Sequence, residues 1–119
     1  MSSTRTVSGT VVIGGDRAAF DQAVLHVYLE DVGRQDAAAS RLGEAHLPVG
    51  PHRAGTVTRL PFTLEAPAAA AGSSLALRVH LALHGGTDVQ VGDKVSTGHV
   101  PVPAAAAVAG LEIAVQDVR

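Results

Sequence analysis

The sequence predicts an all-β fold: an antiparallel β-sandwich of seven or eight strands, Ig-like or transthyretin-like, with residues 1–119 forming one domain. Three observations predict it. The first is alternation of apolar and polar residues in seven short segments, clearest in Leu75-Ala76-Leu77-Arg78-Val79-His80-Leu81-Ala82-Leu83-His84. Every odd position there is a large aliphatic and every even one is small, basic or imidazole, which requires a strand with one dry and one wet face. The second is the recurrence of turn signals about every 8–12 residues, the spacing of sandwiches and barrels. The third is that none of these segments carries the helical period of about 3.6.

The strands follow in order. The first is expected over 5–13, with Val7, Val11 and Ile13 inward, and the second over 23–32, with Leu25, Val27 and Leu29 inward. A third spans 41–48. A fourth spans 56–65 and turns Leu60, Phe62 and Leu64 to the core. The fifth, 75–84, buries its odd positions from Leu75 to Leu83. The sixth covers 94–102, and the last, 110–118, points Leu111, Ile113 and Val115 inward. A short extra strand at 87–91 would make eight. Apolar faces on so many strands dry one another when two sheets stack about 10 Å apart. The first strand and the 56–65 strand, where Pro61 cannot donate to a ladder, are the candidate sheet edges.

The connections have their own chemistry. Gly14-Gly15-Asp16 and Gly85-Gly86 are expected to supply positive φ for tight reversals, and Gly92-Asp93 marks another turn. Pro67-Ala68-Ala69-Ala70-Ala71-Gly72 and Pro103-Ala104-Ala105-Ala106-Ala107-Val108-Ala109-Gly110 share one grammar. Proline suits a first helical position and glycine the cap, so each reads as one or two helical turns joining strands. Pro51-His52-Arg53-Ala54-Gly55 reads as a polar loop.

Composition excludes several function classes. The chain has no cysteine, which removes disulfides, thiolate metal sites and a cysteine nucleophile. The formal net charge of −2 is scattered, with eight Arg and the single Lys94, and no basic run follows a phosphate backbone; nucleic acid is not an expected partner. Phe20, Tyr28 and Phe62 are the only aromatics, too few for a stacking platform. The polar start, Met1-Ser2-Ser3-Thr4-Arg5, has no apolar core of a signal peptide. No apolar run approaches the ~20 residues of a membrane span, so a soluble chain is expected.

Several segments taken in order resemble the YscW/YbaY-type family of small bacterial lipoprotein domains. They are Val7-Ser8-Gly9-Thr10-Val11, Ala23-Val24-Leu25, the run from Leu29-Glu30-Asp31-Val32-Gly33 to Arg34-Gln35-Asp36-Ala37, Leu60-Pro61-Phe62, Leu77-Arg78-Val79-His80-Leu81 and Val100-Pro101-Val102. The resemblance covers residues 7 to 102. It implies a β-sandwich and a place in the periplasm or cell envelope. Its best-known branch, the pilotins, helps an outer-membrane secretin of type III secretion reach its place. It therefore implies a protein partner, secretin-like or another envelope protein. It carries no catalytic residues over, and no lipobox cysteine is present here.

Catalytic motifs are missing. His84-Gly85-Gly86 looks like an esterase oxyanion fragment, but no Gly-x-Ser-x-Gly elbow accompanies it. Glu30 and Asp31 are adjacent on a strand, point to opposite faces and cannot form an acid–base pair. Asp31, Arg34 and Asp36 are expected to hold a loop, and Asp93-Lys94 to form a solvated turn. There is no phosphate loop, dinucleotide fingerprint or calcium loop. No enzyme and no cofactor are expected.

The expected function is a non-catalytic protein-binding or accessory module. Its binding surface would be the wet outer face holding His26, Tyr28, Arg78, His80 and His84. The alternative is a small histidine-dependent metal-binding protein. His80 and His84 stand about 13 Å apart along one strand and cannot share an ion. His26 faces His80 if their strands pair, and zinc or copper would accept that couple. A second alternative is a general periplasmic structural domain.

Overall fold

The computed structural model describes residues 4–33, 40–67, 74–83, 88–96, 100–103 and 107–118. They form eight strands: β1 (Thr4–Ile13), β2 (Ala23–Asp31), β3 (Ser40–Val49), β4 (Thr58–Pro67), β5 (Leu75–Ala82), β6 (Lys94–Ser96), β7 (Val100–Val102) and β8 (Ala107–Asp117). The described residues contain no helix.

The all-β class holds, but the arrangement differs from the expected sandwich. The strands run in one continuous sheet, β3-β2-β5-β6-β8-β1-β4, with β7 pairing β5 beside β6. It is a mixed sheet, because β1 and β8 run parallel. The switch occurs on β8, whose residues up to Ala114 pair with β1 while Val115–Asp117 pair with β6. One strand thus carries the sheet from one layer to the other. The ends of the sheet, β3 and β4, approach each other and nearly close a barrel. At Gly43 of β3 a β-carbon would lie 2.7 Å from the Glu65 carbonyl oxygen and 3.1 Å from the Ala66 β-carbon. A register shift between Leu29 and Glu30 leaves Leu42 as an extra residue of β3, so a bulge and a glycine bend this edge towards β4.

The core matches the alternation. Val7, Val11, Ile13, Leu25, Val27, Leu29, Phe62, Leu64, Leu75, Leu77, Val79, Leu81, Ile113 and Val115 form one buried cluster, with Leu60, Leu83 and Leu111 packed partly against it. β1, β2, β4 and β5 contribute alternate residues because the pleat sends successive side chains to opposite faces.

Several local expectations are corrected. The 94–102 segment is two strands, β6 and β7, which pair with opposite ends of β5. Residues 88–91 form a bend and turn, so the described part of 87–91 is no strand. The described end of the second alanine tract, 107–110, is extended within β8, where pairing with β1 satisfies its backbone. Its Gly110, at φ +78°, is the positive-φ residue of a bulge, because two steps on β1 (Val7 to Gly9) oppose three on β8 (Val108 to Leu111). Gly14 and Gly15 do not take positive φ; among the described residues Gly55, Gly92 and Gly110 do. Gly92 lies at the turn predicted there, and Gly85-Gly86 lie outside the described residues.

Of the two candidate edges, β4 ends the sheet, whereas β1 is interior between β8 and β4. His52 is buried, stacks on Phe20 with centroids 5.7 Å apart and lies 2.7 Å through Nδ1 from Thr58 Oγ1, so its loop is partly core.

Candidate functional site

The outer face of β3, β2 and β5 carries most of the residues that the sequence singled out. Two rows cross it in register. Pairing places His46, His26 and His80 side by side on the three strands. One step along, Glu44, Tyr28 and Arg78 form a second row. Residues two apart on a strand share a face, so the rows stack into one patch.

The burial of this patch corrects the expected wet face. His26, Tyr28 and His80 are 7%, 3% and 3% exposed, and Ala82 is buried too. Cross-strand neighbours and the chain before β6 cover them. The Arg41 guanidinium lies 3.8 Å above the Tyr28 ring centre and that of Arg78 5.2 Å away. Each arginine has a carboxylate, with Arg41 at 3.4 Å from Glu44 and Arg78 at 3.5 Å from Glu30. The rings of His26 and Tyr28 stack at 6.2 Å, and His46 meets Tyr28 edge-on at 5.9 Å. Tyr28 is thus a floor, and the accessible rim is Arg41, Glu44, His46 and Arg78. His84 lies outside the described residues, as do Arg34 and Asp36; Asp31 accepts the Gly33 N–H at 3.0 Å.

His80 is occupied on the side away from His26. Its Nε2 donates to Asp93 Oδ2 at 2.8 Å, since a carboxylate only accepts. Asp93 also accepts the N–H groups of Leu83 and Gln90, each at 3.0 Å. Burial pushes the Asp93 carboxyl up, but these three hydrogen bonds and the charge of protonated His80 outweigh it and hold the group below its ordinary 3.8. The next residue, Lys94, is fully buried and reaches Asp117 Oδ1 at 2.5 Å. Asp93-Lys94 is therefore no solvated turn: both side chains are tied into the sheet. A groove of about 230 Å³ opens beside this lock, with Glu30, Arg78, His80, Val89 and Ser96 among its walls.

Between His26 and His46 the geometry is closer. Their Nδ1 atoms stand 2.6 Å apart and their ring centres 4.8 Å apart. His26 and His80 have ring centres 5.5 Å apart. His46 was not singled out by sequence reasoning. Its signal was available: it shares parity with Glu44 in the third alternating segment, and a β2–β3 hairpin register sets it opposite His26. Among the described residues no three histidine, aspartate or glutamate side chains are grouped to hold a metal ion.

No family model matches the chain. No curated protein matches it either. Among solved structures the fold is similar to that of an alternative pilotin from the type II secretion system of Vibrio cholerae, with a TM-score of 0.68 at 21% sequence identity, over 96% of this chain and 98% of that one. The chain thus shares an all-β, pilotin-like fold over nearly its whole length.

Proposed function

We propose that this domain is a non-catalytic accessory module that binds a secretin-like envelope protein. The observation that carries the reading is the end-to-end likeness of fold to a secretion-system pilotin, 96% of one chain on 98% of the other. The resemblance of Leu29–Gly33, Leu60-Pro61-Phe62 and Leu77–Leu81 to the YscW/YbaY-type segments supports the same reading and a place in the cell envelope. The docking surface in this proposal is the rim of Arg41, Glu44, His46 and Arg78, held over the packed Tyr28 and imidazole floor. Charged groups on a rigid floor give a partner orientation at little entropic cost.

Capture from the native host, with this domain as bait, tests the reading. The expected principal partner is a secretin-like outer-membrane protein, and Arg41→Glu with Arg78→Glu is expected to abolish its capture while the melting curve stays cooperative. Capture of no such protein by the unaltered domain, or capture indifferent to the double substitution, overturns the proposal.

A further inference from the structure

The geometry points to a second property of the same face: we infer that His26 and His46 form a two-imidazole site for a divalent transition metal, copper(II) foremost. The inference stands apart from the partner reading.

The argument starts from register. His26 and His46 are directly opposite across the antiparallel β2–β3 pair, so the backbone sets the distance between their rings. That distance is 4.8 Å between centres. Two imidazoles bonded to one ion at about 2.0–2.1 Å, with about 90–109° between the bonds, place their ring centres about 4.5–5.3 Å apart. The observed spacing lies inside that window. Only a swivel of the rings about their present centres is needed, because the two Nδ1 atoms now face each other at 2.6 Å. Without an ion, that contact is a hydrogen bond in which one Nδ1–H donates to the other Nδ1.

The outer contacts favour the ligating tautomer. His46 Nε2 faces Glu44 Oε1 at 3.5 Å. A carboxylate near the second ring nitrogen favours a proton on Nε2 and the Nδ1 lone pair towards the ion. His26 ligates once its own proton sits on Nε2. Arg41 and Arg78 do not leave the site with uncompensated positive charge, since Glu44 and Glu30 pair with them. With two protein ligands, water fills the other positions, and the 41% exposure of the His46 side chain admits it. Copper(II) heads the divalent series for nitrogen donors.

The chain supplies its own reporter. Tyr28 is the only tyrosine and there is no tryptophan. Its ring lies 6.2 Å from His26 and 5.9 Å from His46, within range of quenching by a bound copper(II) ion. The test is a fluorescence titration of the untagged full chain with copper(II) at pH 7.5, with zinc(II) as a non-quenching competitor. Quenching is expected to saturate at one equivalent and to be relieved only by a large excess of zinc(II), which binds nitrogen donors more weakly than copper(II). His46→Gln, at a half-exposed position, is expected to raise the copper concentration needed by roughly tenfold or more. His26→Gln is the second variant, with circular dichroism showing that each remains folded. No quenching in the unaltered protein, or a titration unchanged in folded His46→Gln, overturns the inference.

Discussion

His80 Nε2 and Asp93 Oδ2 are 2.8 Å apart, and neither side chain is more than 4% exposed. This pair locks the turn before β6 onto the outer face of β5. The Arg59–Glu112 pair is as close, at 2.7 Å, yet its side chains are 61% and 63% exposed. Water screens the second pair and is excluded from the first. Asp93→Ala is expected to cost about 3–5 kcal/mol, because it strands a buried imidazole and two backbone N–H groups. Arg59→Ala is expected to cost less than about 1 kcal/mol. Urea denaturation of both variants checks the contrast, and equal losses would show that burial does not set the scale here.

Acid should weaken the fold through Asp93 and Asp117. For Asp117, burial raises the carboxyl, but the hydrogen bonds from Lys94 and the Ala18 N–H, with the charges of Lys94 and Arg17, take it below 3.8. A carboxyl depressed by folding contributes stability that is fully present above its unfolded value and is lost as pH falls through the folded value. These two groups therefore add nothing to the pH dependence near neutrality and steepen the loss below about pH 4. Urea midpoints measured from pH 7 downward should show that acid limb, and Asp117→Asn should make it shallower. An acid limb of the same slope in Asp117→Asn would contradict the assignment.

Two glycines are held by contact. A β-carbon on Gly9 would lie 2.6 Å from the Leu111 carbonyl oxygen, and one on Gly43 would lie 2.7 Å from that of Glu65. Both obstacles are backbone and cannot rotate away. Gly9→Ala and Gly43→Ala are each expected to cost about 1–3 kcal/mol, by prising β1 from β8 and β3 from β4 respectively. Gly50 has no positive φ, and a β-carbon added there would meet nothing within 4 Å. It should accept alanine within about 0.5 kcal/mol. Thermal melts of the three variants make the comparison.

Leu81 is completely buried in the core cluster. Leu81→Ala removes apolar contact and leaves a cavity, at about 2–5 kcal/mol. A melting curve unchanged by this substitution would refute the parity assignment of β5.

Much of this fold was legible in short-range pattern. Leu75 to Leu81 and Leu25 to Leu29 bury the odd positions because a pleated strand has a period of two, whatever it pairs with. Bulges mark where that logic stops. Past Gly110 the buried set of β8 moves from Val108 to Ile113 and Val115, since one extra residue reverses the faces. In the candidate site, Tyr28, His26 and His80 share one face, as parity and pairing require, but their burial was not legible. It depends on Arg41 from β3 and Asp93 before β6, which reach the patch only after the strands are ordered.

The all-β class, the inward face of most strands and the scarcity of catalytic motifs could be read from the chain alone, because alternation and composition are local properties. The parallel β1–β8 pair, the near closure of β3 on β4, and the meeting of His46 with His26 and of His80 with Asp93 emerge only in the folded molecule. Strand order and register are long-range choices. They are set by how all the apolar faces dry one another at once, and no single segment carries that information.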